Sequence, residues 1–323
     1  MSVKKYQIIF LLFFMIPFLF LVKGQDVQFS QFYANKLYLN PAFAGSNVCP
    51  SLALSYRNQW PNLKASYVNY NVAYDIHLKP IHGGLGIMAH HSNAGSGVLK
   101  TNDISFVYAY DRSLTRKLAL KAGFQASYFQ NTISTNSLRF EDMIDMQYGF
   151  VNPTAEQVGS SGKSGLDLSS GILLFSDQIY GGLSAHHLNE PRIGIMVNDP
   201  SRVNIKYTLH GGANIPVKSV FGHLFDLSPN ILIQKQGSFL QINVGSYITK
   251  GIFSFSMWYR HGDAVISTLG INMEQYTIGY SYDFTFNQLS PRRSGGAHEI
   301  SFNYLLNCME KKEKIREIKC PKF

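Results

Sequence analysis

Charge is what this chain has least of: Asp, Glu, Lys and Arg make up 15% of its 323 residues, against roughly a quarter in an ordinary soluble domain. Cysteine is scarce too, at three, which excludes a disulfide scaffold. Beyond residue 24 no apolar stretch reaches 18 residues, and that excludes a helical membrane span. No G-x-S-x-G, H-E-x-x-H, Walker or dinucleotide fingerprint occurs, so no catalytic, cofactor-binding or metal-binding residue is assigned. The formal charge of +9 is spread along the chain rather than packed into stripes, which argues against nucleic acid as a partner.

Aromatics and glycine are abundant, with 19 Tyr, 23 Phe and 27 Gly. Lys4 and Lys5 precede an apolar run from Ile8 to Val22, and Gly24 precedes Gln25-Asp26. This predicts a secretory signal peptide over 1–24; removing Lys4, Lys5 and Lys23 with it takes the charge from +9 to +6. The remaining chain alternates with a two-residue period. Leu118, Leu120, Ala122, Phe124, Ala126 and Tyr128 face away from Lys117, Lys121, Gln125 and Ser127, and Ile278, Tyr280, Tyr282 and Phe284 face away from Gly279, Ser281 and Asp283. Runs of 10–14 residues are longer than the usual 5–6 of a globular strand and match a tilted membrane-spanning strand. An all-β fold follows: a transmembrane antiparallel β-barrel of about fourteen strands in the bacterial outer membrane, with lipid as its outer partner. The expected strands are 51–59, 64–77, 83–91, 100–112, 117–130, 165–176, 178–188, 203–215, 223–236, 238–249, 252–260, 263–271, 274–286 and 297–306. An even count predicts both termini in the periplasm, and divides the chain into a signal peptide (1–24), a periplasmic N-terminal segment (25–50), the barrel (51–306) and a periplasmic tail (307–323).

The connection 131–164 is the longest, and with 189–202 and 287–296 it forms the expected surface. Its apolar side chains suggest a docking surface or self-packing over the rim, with Phe140, Tyr148 and Phe150 as candidate partner anchors and Arg292 and Arg293 as a charged contact. His90-His91 and His186-His187 attract attention, but adjacent strand residues point to opposite faces, so rim histidines are favoured over a metal site. Of the three cysteine pairings available, Cys308–Cys320 is the preferred disulfide, with Cys49 left over. In a channel, the lumen residues Asn69, Asp75, Lys121, Lys206 and Asp283 would tune selectivity.

The N-terminal block Gln25-Asp26-Val27-Gln28-Phe29-Ser30-Gln31-Phe32-Tyr33 and its continuation Leu39-Asn40-Pro41-Ala42-Phe43-Ala44-Gly45 closely resemble the start of the PorP/SprF family. Tyr56-Arg57-Asn58-Gln59-Trp60-Pro61, Gly83-Gly84-Leu85-Gly86, Tyr148-Gly149-Phe150 and Gly295-Gly296-Ala297-His298-Glu299 extend the likeness over nearly the whole chain. The resemblance implies an outer-membrane barrel of the type IX secretion and gliding machinery. Such a barrel would sit beside the translocon and anchor, on the cell surface, exported proteins that carry a C-terminal sorting domain, and would contact periplasmic lipoprotein or peptidoglycan-associated components. On the inner side, Phe29, Tyr33, Tyr38, Phe43 and Phe323 are the candidate periplasmic contacts; alternatively, 25–45 plugs the lumen or straps the barrel base. The rival functions are a passive or substrate-specific outer-membrane channel and a free-standing adhesin.

Overall fold

A computed structural model describes residues 26–47, 49–134, 140–145, 147–154, 162–194, 200–218, 224–286 and 291–306. Fourteen antiparallel strands close into a barrel. They are β1 (Ser51–Gln59), β2 (Tyr67–Leu78), β3 (Gly83–Ala94), β4 (Leu99–Ser113), β5 (Ala119–Ile133), β6 (Gly162–Phe175), β7 (Ile179–His186), β8 (Lys206–Ala213 and Ile215–Lys218), β9 (Leu224–Gln236), β10 (Phe239–Lys250), β11 (Phe253–Arg260), β12 (Ala264–Asn272), β13 (Tyr276–Thr285) and β14 (Ala297–Leu305). Each strand pairs with its sequence neighbours. β1 also pairs with β14 from Ser51↔Leu305 to Gln59↔Ala297, which closes the cylinder. β8 breaks at Asn214, two residues before Pro216, which has no N–H for a ladder; both of its parts lie along β9.

The alternation read from the sequence separates two solvents. Tyr70, Val72 and Tyr74 on β2 are exposed while Asn69, Asn71 and Ala73 are buried, and on β13 Ile278, Tyr280 and Phe284 are exposed while Ser281 and Asp283 are buried. Apolar outside and polar inside is stable only where the outer solvent is hydrocarbon, and there every backbone N–H and C=O must be paired, as closure ensures.

The connections segregate. At one mouth the chain passes between β1 and β2, β3 and β4, β5 and β6, β7 and β8, β9 and β10, β11 and β12, and β13 and β14; at the other it passes between β2 and β3, β4 and β5, β6 and β7, β8 and β9, β10 and β11, and β12 and β13. We call these the long-loop and short-turn mouths. Within the long loop, a small hairpin pairs Ile144–Asp145 with Gly149–Phe150.

Residues 26–46 do not form a segment outside the barrel, which corrects the boundary expected for a periplasmic 25–50. They descend through the lumen from the long-loop mouth, where Asp26 is held, to the short-turn mouth, where Gly45 meets β2 and β3. The chain makes one helical turn, α1 (Lys36–Leu39), then a 3-10 turn over Pro41–Phe43, before entering β1. Asp26 and Leu305 therefore lie at opposite mouths, so the described chain does not have both its ends on one side, as the even strand count suggested.

Candidate functional site

The candidate functional site is the filled lumen. At its top, Asp26 is gripped from three directions. Its carboxylate takes the Lys206 ammonium at 2.7 Å and His187 Nε2 at 2.8 Å, while Gln236 Nε2 donates to it at 3.0 Å. The Asp26 N–H donates to Gln236 Oε1 at 3.1 Å. His187 also reaches Asp167 through Nδ1 at 2.8 Å. An imidazole with a carboxylate on each nitrogen donates from both and is cationic. Burial opposes that charge, but Asp26 and Asp167 prevail and raise the His187 pKa to about 9. Burial likewise opposes ionisation of Asp26, and Lys206 and His187 outweigh it, holding the carboxyl well below its usual range.

One turn lower, an ion cluster from four strands receives Ser30 and Gln31. Arg57 of β1 binds Asp283 of β13 at 2.9 Å and Glu299 of β14 at 3.2 Å, and Arg260 of β11 binds Asp283 at 3.2 Å. The two Glu299 oxygens accept the backbone N–H groups of Ser30 (2.6 Å) and Gln31 (3.1 Å). The Ser30 hydroxyl donates to Asp283 at 2.6 Å, and the Gln31 amide spans Ser281, Ser301 and the Glu299 carbonyl. A cluster this deeply buried is stable only because its two positive and two negative charges balance, although Arg57 Nε and Asp283 Oδ1 are left without a partner among the described residues.

The lower half is held differently. Leu37 and Ala44 pack with Ala73, Met88, Val107 and Ala109, while Leu39, Ala42 and Phe43 pack with Ala119, Leu173, Phe175 and Leu232. Asn40 shapes the Asn-Pro-Ala-Phe turn: it is extended, its side chain accepts from the Ala42 N–H at 2.9 Å, and Pro41 begins the turn where no N–H is needed. The Asn40 amide donates to the carbonyls of Ile172 and Leu183, both at 3.2 Å. The wall is cut to admit this backbone. A Cβ on Gly123 would stand 2.6 Å from the Ala42 Cα, and one on Gly84 would run into Ala44 and Gly45. Gly45, at φ +62°, donates to Asp75 at 2.8 Å and accepts from Lys121 Nζ at 3.1 Å. Two cavities of about 10 Å³ flank the segment, each with room for about one water.

The residues expected to face periplasmic partners are therefore turned against the wall. Phe29 lies edge-on to His90 and Tyr38, Tyr33 edge-on to Tyr247, and Phe43 beside His210 and Tyr180. These four are corrected from partner contacts to plug residues, because their rings pack inside the lumen, Phe29 and Phe43 buried and Tyr33 and Tyr38 half-buried. Of the five residues considered as channel lining, Asp75, Lys121, Lys206 and Asp283 hold the plug, and Asn69 lies buried in the β2 wall. His90 and His186 face inward, His90 on Asp103 and His186 on the Leu39 carbonyl. Among the described residues no cluster is placed to hold a metal.

On the surface, Tyr148 is 72% and Phe150 51% exposed, beside Ile144 and Val151. The Gln147 and Tyr148 N–H groups close the tip of this hairpin on Asp145 and lower its pKa. Phe140 is half-buried at the hairpin's base, Arg293 is exposed in the short helix α2 (Pro291–Ser294), and the Arg292 side chain and Phe323 lie outside the described residues. Cys308 and Cys320 also lie outside them, but Cys49 is disulfide-bonded. Cys49, which the expected pairing left over, is thus a bonded cysteine, while the Cys308–Cys320 pairing itself lies outside the described residues. The β1–β14 ladder and the Leu306 N–H donating to the Pro50 carbonyl at 2.8 Å bring the end of β14 to the start of β1.

No curated protein matches the chain. Among solved structures, the Ralstonia pickettii toluene transporter TbuX is similar at 10% identity and a TM-score of 0.50, over 83% of this chain and 92% of that one. A Pseudomonas aeruginosa FadL homologue aligns at 11% identity and a TM-score of 0.44, over 82% and 92%. The likeness to TbuX speaks for the barrel fold alone. Residues 21–304 match the family described as Type IX secretion system membrane protein PorP/SprF, and the chain belongs to that family of outer-membrane barrels.

Proposed function

We propose that this barrel works without enzymatic activity as a closed anchor of the type IX secretion machinery, holding exported proteins that carry a C-terminal sorting domain at the cell surface. The occupied lumen is the observation that carries this reading. A barrel whose bore is filled from Asp26 to Gly45 by ion pairs and close packing offers no path to a solute, which weighs against the channel alternative. In this reading the long-loop mouth faces outward. Tyr148 and Phe150, with Phe140 behind them, supply the rigid aromatic anchors common at protein interfaces, and Arg292 and Arg293 supply charge. The short-turn mouth and the tail 307–323 face the periplasmic components. In this orientation Asp26 lies at the outer mouth and Leu305 at the inner one.

Two measurements test this. Reconstituted in planar bilayers, the protein is expected to be silent, and purification from native membranes is expected to bring an exported protein with a sorting domain. Steady conductance from a barrel purified alone would replace the anchor by the channel. Tags placed just before Asp26, in 134–161 and at the C-terminus test orientation: the first two should be labelled on intact cells and the third only after permeabilisation.

A further inference from the structure

Positive charge is concentrated at one corner of the short-turn mouth. The β2–β3 connection carries Lys79 and His82, and the end of β4 and its turn carry Arg112, Arg116 and Lys117, all exposed. Arg112 ends the outward row Ile104, Phe106, Tyr108, Tyr110, so it follows two tyrosines on the membrane-facing side. The two turns are stitched together: the Asp111 N–H donates to the His82 carbonyl at 2.8 Å, and the Tyr108 hydroxyl to the Ile81 carbonyl at 3.1 Å. Within the β4–β5 turn the Leu114 and Thr115 N–H groups both bond the Leu118 carbonyl, and the Lys117 N–H bonds the Thr115 hydroxyl. Leu114, 50% exposed, stands among the cations, with Ile81 on the neighbouring turn.

Asp111, the carboxylate of this corner, is withdrawn: it turns inward to Lys121 at 2.9 Å and to His77 at 3.4 Å. Arg112, Arg116 and Lys117 form no ion pair among the described residues. The remaining short turns mix signs, with Asp177, Asp226 and Glu274 set against Lys218 and Lys250.

We propose that this corner is a headgroup site for an anionic phospholipid of the leaflet that borders the short-turn mouth. The guanidinium groups of Arg112 and Arg116 offer paired N–H donors to phosphate oxygens, and Lys117 adds a point charge. Leu114 and Ile81 dip toward the acyl boundary, and Tyr108 and Tyr110 mark the interface above it. The inference rests on the barrel lying in a membrane and not on its partner or orientation.

Native mass spectrometry of the intact protein, exchanged from detergent into mixed phosphatidylglycerol and phosphatidylcholine, tests it. The protein is expected to retain phosphatidylglycerol over phosphatidylcholine at least about tenfold. The triple variant R112Q/R116Q/K117Q should lose that preference, while K218Q/K250Q, at the same mouth, keeps it. Heat-modifiable gel mobility verifies that each variant is folded. Equal retention of the two lipids, or a preference untouched in the triple variant, overturns the proposal. Displacement of the lipid by free glycerophosphate at equal concentration also overturns it, since the site would then read phosphate rather than a lipid.

Discussion

The two halves of the plug are fastened by opposite kinds of chemistry. From Asp26 to Gln31 the segment is held by charge, through Lys206, His187, Arg57, Arg260, Asp283 and Glu299; from Leu37 to Ala44 it is held mainly by volume, through two apolar clusters and glycines that let backbone lie on backbone, with charge returning only at Gly45, which meets Asp75 and Lys121. The difference follows the barrel wall. Near the long-loop mouth the inward positions of β1, β11, β13 and β14 are ionic, whereas lower down β3, β4 and β5 offer Met88, Val107, Ala109 and Ala119. One end of a single short segment is thus sensitive to protonation and the other to shape.

The largest expected effects come from damaging each half by itself. Glu299→Gln leaves the Arg57 charge short of a partner and the Ser30 and Gln31 N–H groups facing a neutral amide, at a cost of about 3–5 kcal/mol. Phe43→Ala empties the lower cluster at a similar cost of about 3–5 kcal/mol. Chymotrypsin digestion of the purified barrel separates the two. The first variant should be cut earliest after Phe29, Phe32 and Tyr33, the second after Tyr38. Simultaneous cutting throughout 26–46 in both variants would mean that the plug is one cooperative unit, and the contrast between its halves would fall.

A smaller effect is expected from the wall. Gly123→Ala sets a methyl group against the Ala42 backbone, which has no rotamer by which to yield, and should cost about 1–3 kcal/mol in thermal unfolding. Gly181→Ala is its control. That glycine faces outward and its new Cβ would have nothing closer than 4.0 Å, so stability should hardly change. Equal losses at both positions would show that glycine is needed for the strands themselves and not for the plug.

The barrel was legible because its signal is local. An alternating strand between lipid and lumen repeats every two residues, and the observed ends fall within a few residues of those expected. β8 ran on past its expected end because alternation over 203–215 hides the break at Asn214, although Pro216 was there to suggest it. The plug was only half legible. Gln25 to Gly45 stood out as a block, but its partners Asp283 and Glu299 lie more than 250 residues away, and no spacing announces such contacts. What signal existed lay in the wall: glycine at the inward positions 84, 86, 123, 171 and 279, where a water-filled bore would accept any polar side chain. Cys49 was left over because closeness in sequence favours pairing Cys308 with Cys320, yet it is disulfide-bonded.

The smallest expected effect is a local one at the charged end, and pH is the way to produce it. His187 titrates at 6.5 in an unfolded chain and at about 9 between Asp26 and Asp167, so its contribution is complete below pH 6.5 and disappears as pH rises through 9. Asp26 is shifted downward from 3.8, so its contribution is complete above that value and fades only as pH falls through its lowered pKa. Between the two limits the latch stays shut, and neutral pH lies within them. Raising the pH from 7 to 10 should therefore loosen Asp26 and the residues beside it while Ser30, Gln31 and everything below stay fixed. Hydrogen exchange corrected for its intrinsic pH dependence, or a spin label at Gln28, would register the change. His187→Gln should abolish the step near pH 9 and leave the barrel folded. A step that persists in that variant would assign the titration to another group and remove His187 from the latch; protection lost over the whole of 26–46 would show that the upper half cannot open without the lower.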